Sequence, residues 1–180
     1  MTRTHIVLTA SCLSLVVLFA SGTTTSAQTA QTQGLCKSRS ELQQFNFWIG
    51  EWDVKKTGAE DGPTVGSSRI ESLTDGCVIL ENWENPGFSG KSWNFFDRGI
   101  NKWRQIWIDI SGRKAEFSGE FKDGAMRFEG EVVTPAGAKL KNRMTFFVLG
   151  PDKVRQFAER STDGGATWTT TVDFTYLRKK

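Results

Sequence analysis

Phe45-Asn46-Phe47-Trp48-Ile49-Gly50-Glu51-Trp52-Asp53-Val54 decides the fold. It reads as a short apolar helical turn that stops at Gly50 and becomes a strand at Glu51. Large aromatics crowd the turn, and Trp52 follows the glycine. A small β-barrel needs such a segment to plug one end and to start its first strand.

Upstream, residues 1–27 read as a secretory signal: Arg3 in a basic start, an apolar stretch from Ile6 to Ala20, then Thr25-Ser26-Ala27 as a cleavage site. The apolar stretch is shorter than the roughly 20 residues that a membrane helix needs. Cys12 lies inside it with Thr9 three residues before, which is unlike a lipoprotein signal. Residues 28–37 are a polar, Gln- and Thr-containing leader, and 38–180 form one domain. A brief helix is expected over 38–45, capped by Ser38 or Ser40.

Cleavage would remove Cys12 and His5 and leave Cys36 and Cys77. An isolated pair in an exported chain reads as a disulfide; the alternative is two buried free thiols. The closed loop of about 40 residues would contribute roughly 4 kcal/mol on the chain-entropy model. A mature domain without histidine has no Ser-His-Asp or Cys-His nucleophile system. It also lacks the usual ligands of His-based zinc, copper and haem sites. No cofactor or metal is expected. The net charge is +3 with both signs interspersed, too little for a nucleic-acid footprint. Seven tryptophans suit an aromatic-lined interior.

From Glu51 onward, strand patterns recur at 51–57, 65–73, 77–84, 91–97, 102–110, 114–121, 125–133, 139–149, 154–161 and 167–177. Hairpin-length turns separate them, among them Asn85-Pro86-Gly87 and Lys122-Asp123-Gly124. Met126, Phe128 and Val132 alternate with Arg127, Glu129 and Glu131, as a sheet with one buried face requires. This predicts an all-β, antiparallel up-and-down barrel of about ten strands with a short N-terminal helix. Closure would remove exposed edges.

Gly50-Glu51-Trp52 is a G-x-W at the start of the first strand, and Arg178 ends the last one. In this the chain resembles the calycins, the lipocalin and fatty-acid-binding-protein group. That resemblance implies a glycine that ends the helix and a tryptophan that closes the barrel bottom beneath a basic residue. A closer resemblance spans nearly the whole mature domain. It is carried by F-x-F-W-I-G-E-W-D-V, Gly76-Cys77-Val78-Ile79-Leu80-Glu81-Asn82-Trp83, Gly90-Lys91-Ser92-Trp93-Asn94-Phe95-Phe96-Asp97, Trp103-Arg104-Gln105-Ile106-Trp107-Ile108-Asp109 and Ser161-Thr162-Asp163-Gly164-Gly165-Ala166-Thr167-Trp168. Together these resemble an uncharacterised family of exported bacterial proteins with a calycin-like barrel. That implies a fold and a periplasmic or secreted location, and no catalytic residue. The last of these segments also matches the S-x-D-x-G-x-T-W Asp-box of sialidase propellers. One copy favours a structural hairpin turn over a glycosidase.

Trp103, Gln105, Trp107 and Asp109 share one face of the fifth expected strand. Facing outward they would expose two indoles; facing inward they put Gln105 and Asp109 in the lumen. Glu81 with Trp83, and Ser92 with Asn94, share faces of neighbouring strands, while Arg143 and Gln156 or Glu159 could supply partners from later ones. Buried polar groups must be paired, either with a ligand in an aromatic-lined pocket or with one another in a filled lumen. Glu81, Trp83, Asn94, Gln105, Trp107, Asp109, Arg143, Gln156 and Glu159 are therefore the candidate ligand-binding residues. The function expected is binding of a small, partly apolar molecule, with no nucleic acid and no membrane span after signal cleavage. The alternatives are a carboxylate-dependent isomerase or hydrolase using Glu81, Asp109 or Glu159, and a structural or partner-binding barrel.

Overall fold

A computed structural model describes residues 34–180. The expected signal and most of the leader lie outside the described residues. Ten antiparallel strands close into an up-and-down barrel in which β1 pairs with both β2 and β10. The strands are β1 Gly50–Lys56, β2 Gly66–Leu73, β3 Val78–Asn85, β4 Phe88–Asp97, β5 Lys102–Asp109, β6 Lys114–Lys122, β7 Ala125–Val133, β8 Lys139–Gly150, β9 Lys153–Ser161 and β10 Thr169–Arg178.

The helical part is more broken than a single helix over 38–45. It is one turn at Leu35–Ser38, then 3₁₀ turns at Ser40–Leu42 and Asn46–Trp48. The chain that carries Cys36 must double back to present Phe45 and Trp48 to the barrel, and it cannot do so as a continuous rod. Strand limits differ by more than one residue at two turns. At β3–β4, Pro86 presets one turn position and Gly87 supplies φ +84° at the next. Pairing therefore resumes at Asn85–Phe88. Before β10, the Thr167 amide is held by Asp163, which delays the strand to Thr169.

One end of the barrel is plugged. Phe45 packs against Phe47, Trp48, Trp103, Phe128 and Phe146, with ring centroids 5.0 to 5.8 Å away. Trp52 Nε1 donates to the Trp48 carbonyl at 2.8 Å. The Arg178 guanidinium lies 4.2 Å from the Trp52 ring centroid and donates to the Ile49 carbonyl at 3.0 Å. Gly50 has φ +141°, and a Cβ there would collide with Arg178 Nη1. The glycine is therefore required both by backbone conformation and by the close approach of the arginine. Cys36 and Cys77 are joined in a disulfide across a 41-residue separation. It ties the N-terminal segment to the β2–β3 connection at this same end.

Candidate functional site

The other end of the barrel is open. A cavity of about 360 Å³ enters the lumen there. Strand alternation builds its wall: Trp83 and Asn85 from β3, Phe88 from β4, Gln105 and Trp107 from β5, Phe117 from β6, Met144 from β8, Gln156, Ala158 and Arg160 from β9, Phe174 and Tyr176 from β10. Register fixes this set. Phe146 and Met144 face Gln156 and Ala158 across the β8–β9 ladder. Trp103, Gln105 and Asp109 are buried on one face of β5, so that face is the inner one.

Glu81 forms the polar floor. It is 4 % exposed. Ser92 Oγ donates to Glu81 Oε2 at 2.8 Å and Ser68 Oγ to Oε1 at 3.2 Å. Burial pushes the carboxyl up to about 7, while the two serine hydroxyls and Tyr176 oppose that rise. Burial, then the nearby Glu81 charge, raises the Tyr176 phenol well above its ordinary value. Tyr176 donates to Gln156 Oε1 at 2.8 Å. Asn94 donates to Ser92 Oγ at 2.9 Å and accepts from Gln105 Nε2 at 2.8 Å. The floor is thus a hydrogen-bonded layer running from Ser68 to Gln105, with a carboxyl that changes protonation near neutral pH.

The structure brings six of the expected residues to the cavity: Glu81, Trp83, Gln105, Trp107, Arg143 and Gln156. Asn94 is fully buried beneath it and reaches it through Gln105. Asp109 sits at the edge as part of a turn. It accepts from Ser111 Oγ at 2.5 Å and pairs with Arg113 Nη2 at 2.9 Å. The Ser111 hydroxyl is the largest cause that holds its carboxyl down at about 2. Glu159 lies on the opposite face of β9 from Gln156 and pairs with Arg143 Nε at 2.6 Å. The Arg143 guanidinium also lies 4.2 Å from the Trp168 ring centroid, so it borders the mouth with its charge already engaged. Of the three carboxylates Glu81, Asp109 and Glu159, Glu81 alone lines the cavity.

Tyr176, Ser68 and Arg160 were not singled out from sequence. Period two would have found Arg160, which follows Gln156 and Ala158 on the same face of β9. The Asp-box segment is a turn brace. Asp163 accepts from Thr167 N at 2.9 Å and Thr167 Oγ1 at 2.6 Å, and from Ser161 Oγ at 2.7 Å. These bonds hold its carboxyl far below the usual carboxylate range. Among the described residues, no group of three or more His, Cys, Asp and Glu side chains could hold a metal ion.

Ten antiparallel strands, one plugged end and one open cup define a barrel consistent with the calycin-like fold. No family model matches the chain, and no curated protein matches it.

Proposed function

We propose that this protein binds a small, partly apolar molecule in the barrel cavity, outside the cytoplasmic membrane. The observation that carries the reading is the open cavity of about 360 Å³ with aromatic walls and one hydrogen-bonding floor. That volume and mixture of surfaces are those of small-molecule sites. Trp83 and Trp107 would cover the ligand's apolar body, and Glu81, Gln105 and Gln156 would form the hydrogen-bonding floor beneath it. Asn94 supports the floor from below, while Asp109 and Glu159 shape the rim through Arg113 and Arg143. Export is supported by the sequence of residues 1–27 and by the Cys36–Cys77 disulfide, which suits an oxidising compartment. Among the described residues, no helix is long and apolar enough to cross a membrane.

The test is a panel of aromatic and lipid-like compounds, read by tryptophan fluorescence and by thermal shift. Saturable quenching with a raised melting temperature is the expected result. A panel in which no compound does either would overturn the reading.

A second reading, a histidine-free enzyme with Glu81 as acid–base group, draws on a carboxyl that titrates near neutral pH. It requires turnover that Glu81→Gln abolishes while leaving binding intact. Among the described residues Glu81 is the one carboxylate that lines the cavity, and Asp109 is held by Ser111 and Arg113, which favours binding over this chemistry.

A further inference from the structure

Two features of the cavity bear on what kind of molecule fills it. The first is the shape of its wall. Trp83 lies across Gly66, where an added Cβ would come within 2.6 Å of the indole Cζ2 and 2.8 Å of Cη2. Trp107 lies across Gly90 in the same way, and a Cβ there would overlap its ring. Two glycines therefore let two indoles settle against the barrel wall. Each is extended by a nearly parallel neighbour. Phe174 lies 5.7 Å from Trp83 at an interplanar angle of 5°, and Phe88 lies 6.5 Å from Trp107 at 21°. Broad π surfaces favour offset stacking with another ring system over contact with a flexible chain.

The second feature is the order of charge along the cavity. Arg113, Lys114, Arg143 and Arg160 border it, and Glu81 is its one carboxylate. Three of these cations are engaged: Arg113 with Asp109 at 2.9 Å, Lys114 with Glu116 at 2.7 Å and Arg143 with Glu159 at 2.6 Å. Arg160 differs. It shares the inner face of β9 with Gln156, it donates from Nε to Asn142 Oδ1 at 2.9 Å, and it makes no ion pair among the described residues. Its remaining donors suit an incoming anion, and a planar guanidinium matches a carboxylate in a two-point contact.

We propose, resting on the binding reading above, that the ligand is a planar aromatic carboxylic acid whose rings lie against Trp83 and Trp107 and whose carboxylate meets Arg160 at the mouth. An anion placed at the floor would face Glu81. A cationic ligand would have to pass the basic mouth, where like charges disfavour it. From Gln156 at the floor to Arg160 at the mouth is four residues, about 13 Å at a strand's rise. That length suits a fused two-ring acid. The near-neutral titration of Glu81 agrees with this polarity, since a protonated carboxyl at the floor meets an apolar ring edge at little cost.

Calorimetric titration with 2-naphthoate, 2-naphthalenemethanol and 2-naphthylmethylamine varies the head group on one ring system, and decanoate varies the body. The acid should bind roughly tenfold tighter than the alcohol, as one charge-assisted contact implies. Arg160→Gln should erase that ratio, and a melting temperature close to the parent's would report that the variant is folded. Equal affinities for acid and alcohol, or a ratio that survives in Arg160→Gln, would overturn the assignment and leave the binding reading standing. Decanoate binding tighter than naphthoate would overturn the planar requirement. No binding by any of the four would overturn this proposal together with the reading it rests on.

Discussion

At the closed end Trp48, Trp52 and Trp103 are at most 2 % exposed and are packed against other rings. At the open end Trp83 and Trp107 lie across Gly66 and Gly90 and border a cavity. The residue type is the same and the surroundings differ. Below, the N-terminal turns bring Phe45 and Trp48 into the lumen, where they pack against Trp103, Phe146 and Tyr176. Above, none of the described segments enters, and the wall glycines draw the indoles back from the axis. Stability is therefore concentrated below and room for a ligand above, with the Glu81 layer between them. Substitutions at the two ends should separate these properties.

The largest effect is expected at Trp52. Truncation to alanine removes a fully buried indole, its bond to the Trp48 carbonyl and its contact with Arg178. Denaturant unfolding of Trp52→Ala should show a loss of about 4 kcal/mol. Ligand affinity below the transition should stay close to that of the parent. A variant of unchanged stability would place the plug elsewhere.

Glu81 tests the layer between the ends through pH. Its carboxyl holds a proton up to about 7 in the folded protein, against an ordinary value of 4.5. Between those values the folded state binds more protons than the unfolded state, so stability falls as pH rises. The favourable contribution is complete below about pH 4.5 and is lost above about pH 7. It amounts to about 3 kcal/mol for a shift of this size. Glu81→Gln should flatten the curve over that window. A glutamine variant that loses stability as steeply as the parent would show that the carboxylate is hydrated in the folded state.

Much of this division was legible in the chain. G-x-W with a terminal arginine pointed to the closed end, and the inner face of β5 followed from the cost of exposing Trp103 and Trp107. The site was less legible, for three physical reasons. Alternation gives only one bit per residue: it puts Gln156 and Glu159 on opposite faces of β9, but it cannot say which is inside without a register. Asp109 shares the inner face with Gln105, yet a turn captures it, because Ser111 and Arg113 follow within hydrogen-bonding reach. The two wall glycines act across strands, Gly66 with Trp83 and Gly90 with Trp107, and no local pattern pairs them. Tyr176 read as one more aromatic in an alternating strand, and only the β9–β10 pairing brings its hydroxyl to Gln156.

The wall glycines offer a way to remove the cavity without touching a polar group. The nearest atoms to a Cβ at Gly90 all belong to the Trp107 ring. Gly90→Ala should therefore push that indole towards the lumen. The unfilled space can accept it, so the stability cost should be near the lower end for overpacking, about 1 kcal/mol. Ligand affinity should fall by more than tenfold. Unchanged affinity would show that the ligand does not use the Trp107 wall.

The smallest effect concerns how Gly50 and Arg178 close the bottom. Gly50→Ala imposes two costs: a side chain at φ +141° and a collision with the Arg178 guanidinium. Arg178→Ala removes the collision and also the cation–π contact with Trp52, which is worth about 1 kcal/mol in such settings. In Gly50→Ala the arginine is already displaced, so that contact is lost once rather than twice in the double variant. The double variant should therefore be more stable than the sum of the single losses by about 1 kcal/mol, a coupling typical of touching residues. Purely additive losses would mean that the glycine answers only to backbone conformation. The arginine would then close the barrel through its bonds to Ile49 and Pro151 rather than by lying on the indole.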